Sequence, residues 1–176
     1  MEKTLSSRLL HEGRSFSFKT DKVELPNGRM TTRDVVDHPG AVAIVPVLNG
    51  SRIILVRQFR YAACRELLEI PAGTLEKGEE PDACAARELR EETGYKAESM
   101  VRLLSCYMAP GYSNEVIHLY VATGLEKGEK ETEEDEEITV ETMGFDETLR
   151  MIEENEIEDA KTIVGVLSYL TRGGNP

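Results

Sequence analysis

Between Gly73 and Tyr95 the chain reads GTLEKGEEPDACAARELREETGY, a stretch crowded with carboxylates that could do chemistry. Gly73 closes a strand-like run and Gly78 supplies a second turn. Pro81 suits a first helical position and Gly94 the left-handed residue just past a helix end, so they bracket a helix. On that helix Glu88 and Glu92 stand four apart and project from one face, with Glu91 three from Glu88 beside them. Like charges at this spacing repel by roughly 0.2–0.5 kcal/mol per pair, and an exposed helix would more naturally alternate Glu with Lys. A hard divalent cation turns the repulsion into binding. Mg²⁺ takes a few carboxylates and leaves positions for water and for phosphate oxygens. Arg87 adjoins the cluster and can orient a carboxylate through a two-pronged hydrogen bond. The plainer alternative is a solvated acidic helix carrying an incidental salt bridge.

Strands must present such a helix. Ala41 to Val47 (AVAIVPV) and Arg52 to Val56 (RIILV) are nearly continuous apolar runs joined at Asn49-Gly50, which predicts a hairpin covered on both faces. Leu67 to Ile70 predicts a short strand ending at Pro71-Ala72-Gly73. Met100 to Met108, Glu115 to Thr123 and Glu137 to Phe145 alternate in strand fashion, and amphipathic helices near Asp146–Asn155 and Asp159–Thr171 close the chain. Upstream, Ser15 to Leu25 and Arg29 to Asp37 flank Pro26-Asn27-Gly28, a second hairpin signal. The expected fold class is α/β with a mixed sheet, preceded by a small antiparallel β appendage. We divide the chain into an appendage, 1–40, and a main domain, 41–176.

The chain has 176 residues, of which 40% are hydrophobic and 31% charged, enough apolar residues for one well-packed domain. A net charge of −12 argues against nucleic acid or an anionic membrane as partner, since both require a basic face. No apolar run reaches the roughly 18 residues of a membrane helix, and the first residues lack the apolar core of a signal peptide. Three cysteines, Cys64, Cys84 and Cys106, are too few for a disulfide framework, so we expect a reducing, cytoplasmic setting. His11, His38 and His118 are scattered without metal-ligand spacing; His118 reads as a strand residue and Cys84 as a small core residue.

The stretch matches Gly-x5-Glu-x7-Arg-Glu-Leu-x-Glu-Glu-x-Gly at Gly73, Glu79, Arg87, Glu88, Leu89, Glu91, Glu92 and Gly94. At about 5–7% usage per residue type, chance agreement at all eight positions is rarer than about once in a hundred million starts. It resembles the signature box of the Nudix hydrolases, which cleave nucleoside diphosphates linked to another moiety. Tyr95 departs from the aliphatic residue usual at its position, which touches local packing only. The resemblance implies an α/β/α sandwich whose box is a loop–helix–loop holding Mg²⁺, with Mn²⁺ as a substitute. It implies Glu88, Glu92 and the Ala72 carbonyl as metal ligands, Glu91 assisting catalysis, and Glu79 and Arg87 bracing the loop.

Outside the box, Pro110 lies in APGYSNE, sixteen positions after Gly94, and VRQFRYA and LLEIPAG precede the box. This context is similar to the ADP-ribose pyrophosphatase subgroup, although relatives acting on GDP-mannose share much of it. The resemblance implies a substrate site drawing on Arg60, and on Arg57, Glu69, Glu79, Pro110 and Glu115. It also implies that the acidic loop before a strand supplies a glutamate that activates water and adds to the metal set. There DEEITV points to Glu136, with Glu134 and Glu137 as alternatives. The expected activity is Mg²⁺-dependent hydrolysis of ADP-ribose, or a close nucleotide sugar, to AMP and ribose 5-phosphate; GDP-mannose, another nucleoside-diphosphate sugar or a dinucleotide is the alternative substrate, and a non-catalytic regulator a third reading. The appendage is too small to fold alone, and the subgroup suggests a homodimer with an exchanged N-terminal sheet.

Overall fold

The computed structural model describes residues 1–128 and 137–174. The strand that anchors it, β4 (Ala41–Leu48), explains its own composition. Ala41, Ala43, Val45 and Val47 point into one apolar cluster while Val42 and Ile44 point into another, so both faces of the run are covered. The main sheet runs β10–β5–β4–β9–β8, with β5 Arg52–Arg60, β8 Tyr95–Tyr107, β9 Val116–Lys127 and β10 Thr139–Gly144. Of these pairs β4–β9 is parallel; β4–β5, β5–β10 and β8–β9 are antiparallel. Two short strands, β6 (Arg65–Glu69) and β7 (Ala72–Thr74), pair with β5 and β4 respectively. β4 therefore changes partner along its length, from β7 at Ala41–Ala43 to β5 at Val47–Leu48, and Pro46, which has no N–H, falls in the gap.

Helices cover both faces, giving the expected α/β/α sandwich. α1 (Pro81–Thr93) buries Cys84, Ala85 and Leu89 against Val42, Ile44, Tyr120 and Ala122. α2 (Phe145–Glu153) and α3 (Ala160–Thr171) lie on the other face, where Phe145, Val166 and Tyr169 join Leu55, Ile70 and Leu119. Gly165 of α3 rides so close that an added Cβ would sit 3.0 Å from Ile70 and 3.1 Å from Val45.

The appendage differs from the expected hairpin by one strand. β2 (Ser17–Glu24) and β3 (Met30–Asp37) pair across the Pro-Asn-Gly turn as predicted, but β1 (Lys3–Glu12) adds a third strand on β2. Its sequence, KTLSSRLLHE, has no regular alternation because Leu5 and Leu10 are inserted at two breaks in register. All ten β1 residues are exposed. The sheet is tied to the main domain through the loop after β8. Val36 N–H donates to Tyr112 O at 2.8 Å, and the Asn114 side chain accepts from His38 N–H at 2.7 Å and donates to Asp37 at 2.6 Å. Among the described residues, no helix is long and apolar enough to cross a membrane.

Candidate active site

β7, the loop after it and α1 are the elements that bring the box together. Pro81 starts α1 and Gly94, at φ 75°, ends it with its N–H on Arg90 O. The helix thereby turns Leu89 into the core and Glu88, Glu91 and Glu92 toward β7. Gly73 permits the close approach: a Cβ there would lie 1.8 Å from Glu88 Oε1. Glu92 is 4% exposed, and its Oε2 accepts from the Ala72 N–H at 3.1 Å, fixing the helix to the strand.

Arg87 is the hub of the box. Its Nε and Nη2 donate to the two Glu79 oxygens at 2.9 Å each, and its Nη1 donates to Glu88 at 2.7 Å and Glu91 at 2.9 Å. This bidentate bond holds the Glu79 carboxyl at about 2, well below its ordinary value. The Arg87 Nη2 also meets Cys84 Sγ at 3.3 Å. Burial, with the Glu79 carboxylate nearby, pushes the Cys84 thiol up to about 12, so it packs as a neutral group. The structure thus brings Glu79 and Arg87, the two residues expected to brace the loop, into direct contact.

A cleft of about 770 Å³ lies in front of this face. It is lined by Ala72, Arg87, Glu88, Glu91 and Glu92 on one side and by Arg60 and Gln58 of β5 on another, with Arg14 and Pro39 reaching in from the N-terminal segment. The donors on offer are carboxylate and carbonyl oxygens, the set a hard cation such as Mg²⁺ takes, and among the described residues no histidine or thiol lines it. Among the described residues no three such side chains already converge on one point, because Arg87 and the Ala72 N–H divide them.

Arg60 is held in a second network. Its Nε and Nη2 donate to Glu69 Oε1 at 2.8 Å and Oε2 at 2.6 Å, and Lys161 at the start of α3 also donates to Glu69 Oε2. Glu69 is 1% exposed. Burial alone would push its carboxyl up, but the hydrogen bonds and charges of Arg60 and Lys161 prevail and hold it below the ordinary value. Asp159 caps α3 through Thr162 N–H at 2.9 Å and accepts from Lys161 at 2.9 Å. Lys161 is not legible as a site residue from sequence, since a lysine beside an N-cap aspartate reads as an ordinary helix start.

The other residues expected at the site fall elsewhere. Arg57 donates to Glu141 of β10 at 2.5 Å and does not line the cleft. Pro110 and Glu115 lie in the β8–β9 loop that holds the appendage, also outside the cleft lining. Glu69 backs Arg60 from beneath. Glu136 and Glu134 lie outside the described residues, and Glu137 is exposed just before β10. His118 is in β9 as expected, its Nδ1 2.7 Å from Ser105 Oγ.

A mixed α/β/α sandwich with a carboxylate-bearing loop–helix opposite an arginine is a scaffold for diphosphate chemistry. The family comparison is specific: the NUDIX domain model matches residues 37–164, and the chain belongs to the Nudix hydrolases. The chain is 45% identical over 167 residues to the methanol dehydrogenase activator of Bacillus methanolicus, covering 94% of this chain and 90% of that one. It is 40% identical over 167 residues, with the same coverage, to the ADP-ribose pyrophosphatase of Bacillus subtilis. A crystal structure of an ADP compounds hydrolase superposes with TM-score 0.85 at 22% identity, over 99% of this chain and 96% of that one, which supports the fold. The resemblance read from the box and from the Pro110 context therefore holds.

Proposed function

We propose that this Nudix hydrolase cleaves the diphosphate of ADP-ribose, or of a close nucleotide sugar, to AMP and the sugar phosphate. The observation that carries the reading is one cleft with Arg60 on one wall and Glu88, Glu91 and Glu92 on the other. The name of the Bacillus subtilis relative supports the substrate class. Mg²⁺, with Mn²⁺ as a substitute, fits the oxygen donors, and Glu88, Glu92 and the Ala72 carbonyl would hold it, with Glu136 as a further ligand. When bound, such an ion neutralises charge that develops on the phosphoryl oxygens.

The chain's own residues do the rest. The Arg60 guanidinium takes diphosphate oxygens in a two-pronged grip and orients the chain of phosphates across α1. Arg87 holds Glu88 and Glu91 at the cleft face of α1, from which Glu88 would draw toward Glu92 to take an ion. An ionised carboxylate, Glu136 in our reading with Glu91 assisting, accepts the proton of the attacking water as the phosphorus–oxygen bond to the leaving phosphate breaks. Glu79 braces the loop, Glu69 holds Arg60, and Arg57, Pro110 and Glu115 shape the region around the sugar and base. The exposed β1, with Leu5, Leu9 and Leu10, supports pairing of the 1–40 segment with a second copy in a homodimer of the cytoplasm.

The test is chromatographic product analysis with Mg²⁺ and equal concentrations of ADP-ribose, ADP-glucose, GDP-mannose, NADH and a diadenosine polyphosphate. Fastest release of AMP from ADP-ribose upholds the reading; preference for GDP-mannose keeps the box chemistry and discards the base assignment. The name of the 45% identical activator favours a second reading, in which the protein stimulates a methanol dehydrogenase. Stimulation of a purified methanol dehydrogenase by the protein would support it.

A further inference from the structure

Glu69 is almost sealed from solvent at 1% exposure, yet it is contacted by two cations. Arg60 occupies both of its oxygens, and Lys161 shares Oε2. The two cations are differently placed. The Arg60 side chain is 40% exposed and lines the cleft, whereas the Lys161 side chain is 12% exposed and is pinned by Asp159. Asp159 is itself fixed by the Thr162 N–H and hydroxyl at 2.9 and 2.6 Å, and the Thr162 hydroxyl accepts from Ile70 N–H, one residue past Glu69. Lys161 is thus a built part of the wall, and Arg60 is the cation that can turn.

A guanidinium whose fork is closed on a carboxylate has few donors left for a substrate. To grip a diphosphate, Arg60 must share or release Glu69. Leaving a buried carboxylate without a counter-charge is costly, far more so than exchanging one partner for another. With Lys161 fixed on Oε2, that cost falls.

We propose that Lys161 is a positioning residue for substrate binding: it is the standing counter-ion of Glu69, and it frees the Arg60 fork for the diphosphate in the cleft. The inference rests on the reading of Arg60 as the diphosphate contact. Without Lys161, Arg60 is the one cation left on Glu69 among the described residues, and it stays closed there. The substrate loses its grip while the reacting groups on α1 are untouched. Lys161 itself meets no substrate.

The experiment is steady-state kinetics with ADP-ribose and Mg²⁺ on the full chain, together with calorimetric titration of α,β-methylene-ADP. Lys161→Met should raise KM, and the Kd of the analogue, by about tenfold, equivalent to about 1.4 kcal/mol, with kcat nearly unchanged. Lys161→Arg, which keeps the charge, should bind as the wild type does. The decisive variant is Glu69→Gln with Lys161→Met, in which residue 69 no longer carries a charge that needs a partner; it should recover most of the lost affinity. If Lys161→Met fails to fold, Lys161→Gln, which keeps a hydrogen-bond donor but no charge, takes its place with the same rise of about tenfold expected. An unchanged KM in Lys161→Met or Lys161→Gln, or an undiminished loss in the double variant, would overturn the proposal. If the wild type binds neither ADP-ribose nor the analogue, the functional reading fails with it; a wild type that binds both isolates the role of Lys161.

Discussion

Gly73→Ala tests the geometry of the box more sharply than removal of any carboxylate. Gly73 does not need its freedom for an unusual backbone angle; it is glycine because the Glu88 carboxylate lies where a Cβ would be. The new methyl group would sit 1.8 Å from Oε1, 1.9 Å from Cδ and 2.4 Å from Oε2, against ordinary contact from 3.4 Å outward. The carboxylate must therefore withdraw by at least about 1.6 Å, which also strains its 2.7 Å bond from Arg87. Folding should suffer little, because the displaced atoms are the end of a flexible side chain that can swing out; we expect less than about 1 kcal/mol by urea denaturation. Catalysis should suffer far more, since a misplacement of about 1 Å costs about a hundredfold, or some 2.7 kcal/mol in the barrier. AMP release from ADP-ribose gives kcat/KM, and Mn²⁺ titration followed by electron paramagnetic resonance gives a readout independent of turnover. Activity within about threefold of wild type, with Mn²⁺ affinity unchanged, would refute the assignment of Glu88 to the metal set.

Other outcomes follow from the same geometry. Glu92→Gln keeps an oxygen to accept the Ala72 N–H but loses its charge, so kcat/KM should fall by about 10³-fold, about 4 kcal/mol, with the denaturation midpoint nearly unchanged. Asn114→Ala removes two hydrogen bonds that anchor the appendage, each worth about 1 kcal/mol; amide exchange in β1–β3 should quicken while the main sheet stays protected. Glu79 is held at about 2 in the folded protein against an ordinary 4.5. Its bond to Arg87 therefore stabilises fully above pH 4.5, and that contribution fades as pH falls toward 2. Urea denaturation across that window should show a steeper acid loss in the wild type than in Glu79→Gln.

The parts of the fold that were legible are those whose residues meet a single demand. The unbroken run of β4 announced a strand covered on both faces, and Pro81 and Gly94 bracketed α1 to the residue. The resemblance marked Glu79 and Arg87 as residues that brace the loop, and their direct pairing appeared only in the structure. What stayed hidden required three dimensions. β1 was unreadable because two inserted leucines break its alternation. Lys161 gains its role only when α3 packs its N-terminus over Glu69, 92 positions away in the chain. Arg57 and Arg60 look equivalent in VRQFR, and only the sheet separates them: β10 supplies Glu141 to the first, and the cleft opens before the second.

The broken register of β1 has a consequence for how this protein behaves in company. β1 is an outermost strand, and its outer backbone groups would ordinarily template another strand, and then another, without end. The insertions at Leu5 and Leu10 interrupt that row within ten residues. A ladder so interrupted is a poor seed for open-ended stacking, because each successive strand would have to reproduce both irregularities. Along the same strand the apolar side chains of Leu5, Leu9 and Leu10 are exposed. The edge is in this way sticky through its side chains and unwelcoming through its backbone, a combination that disfavours a growing fibre and suits the closed pair proposed above.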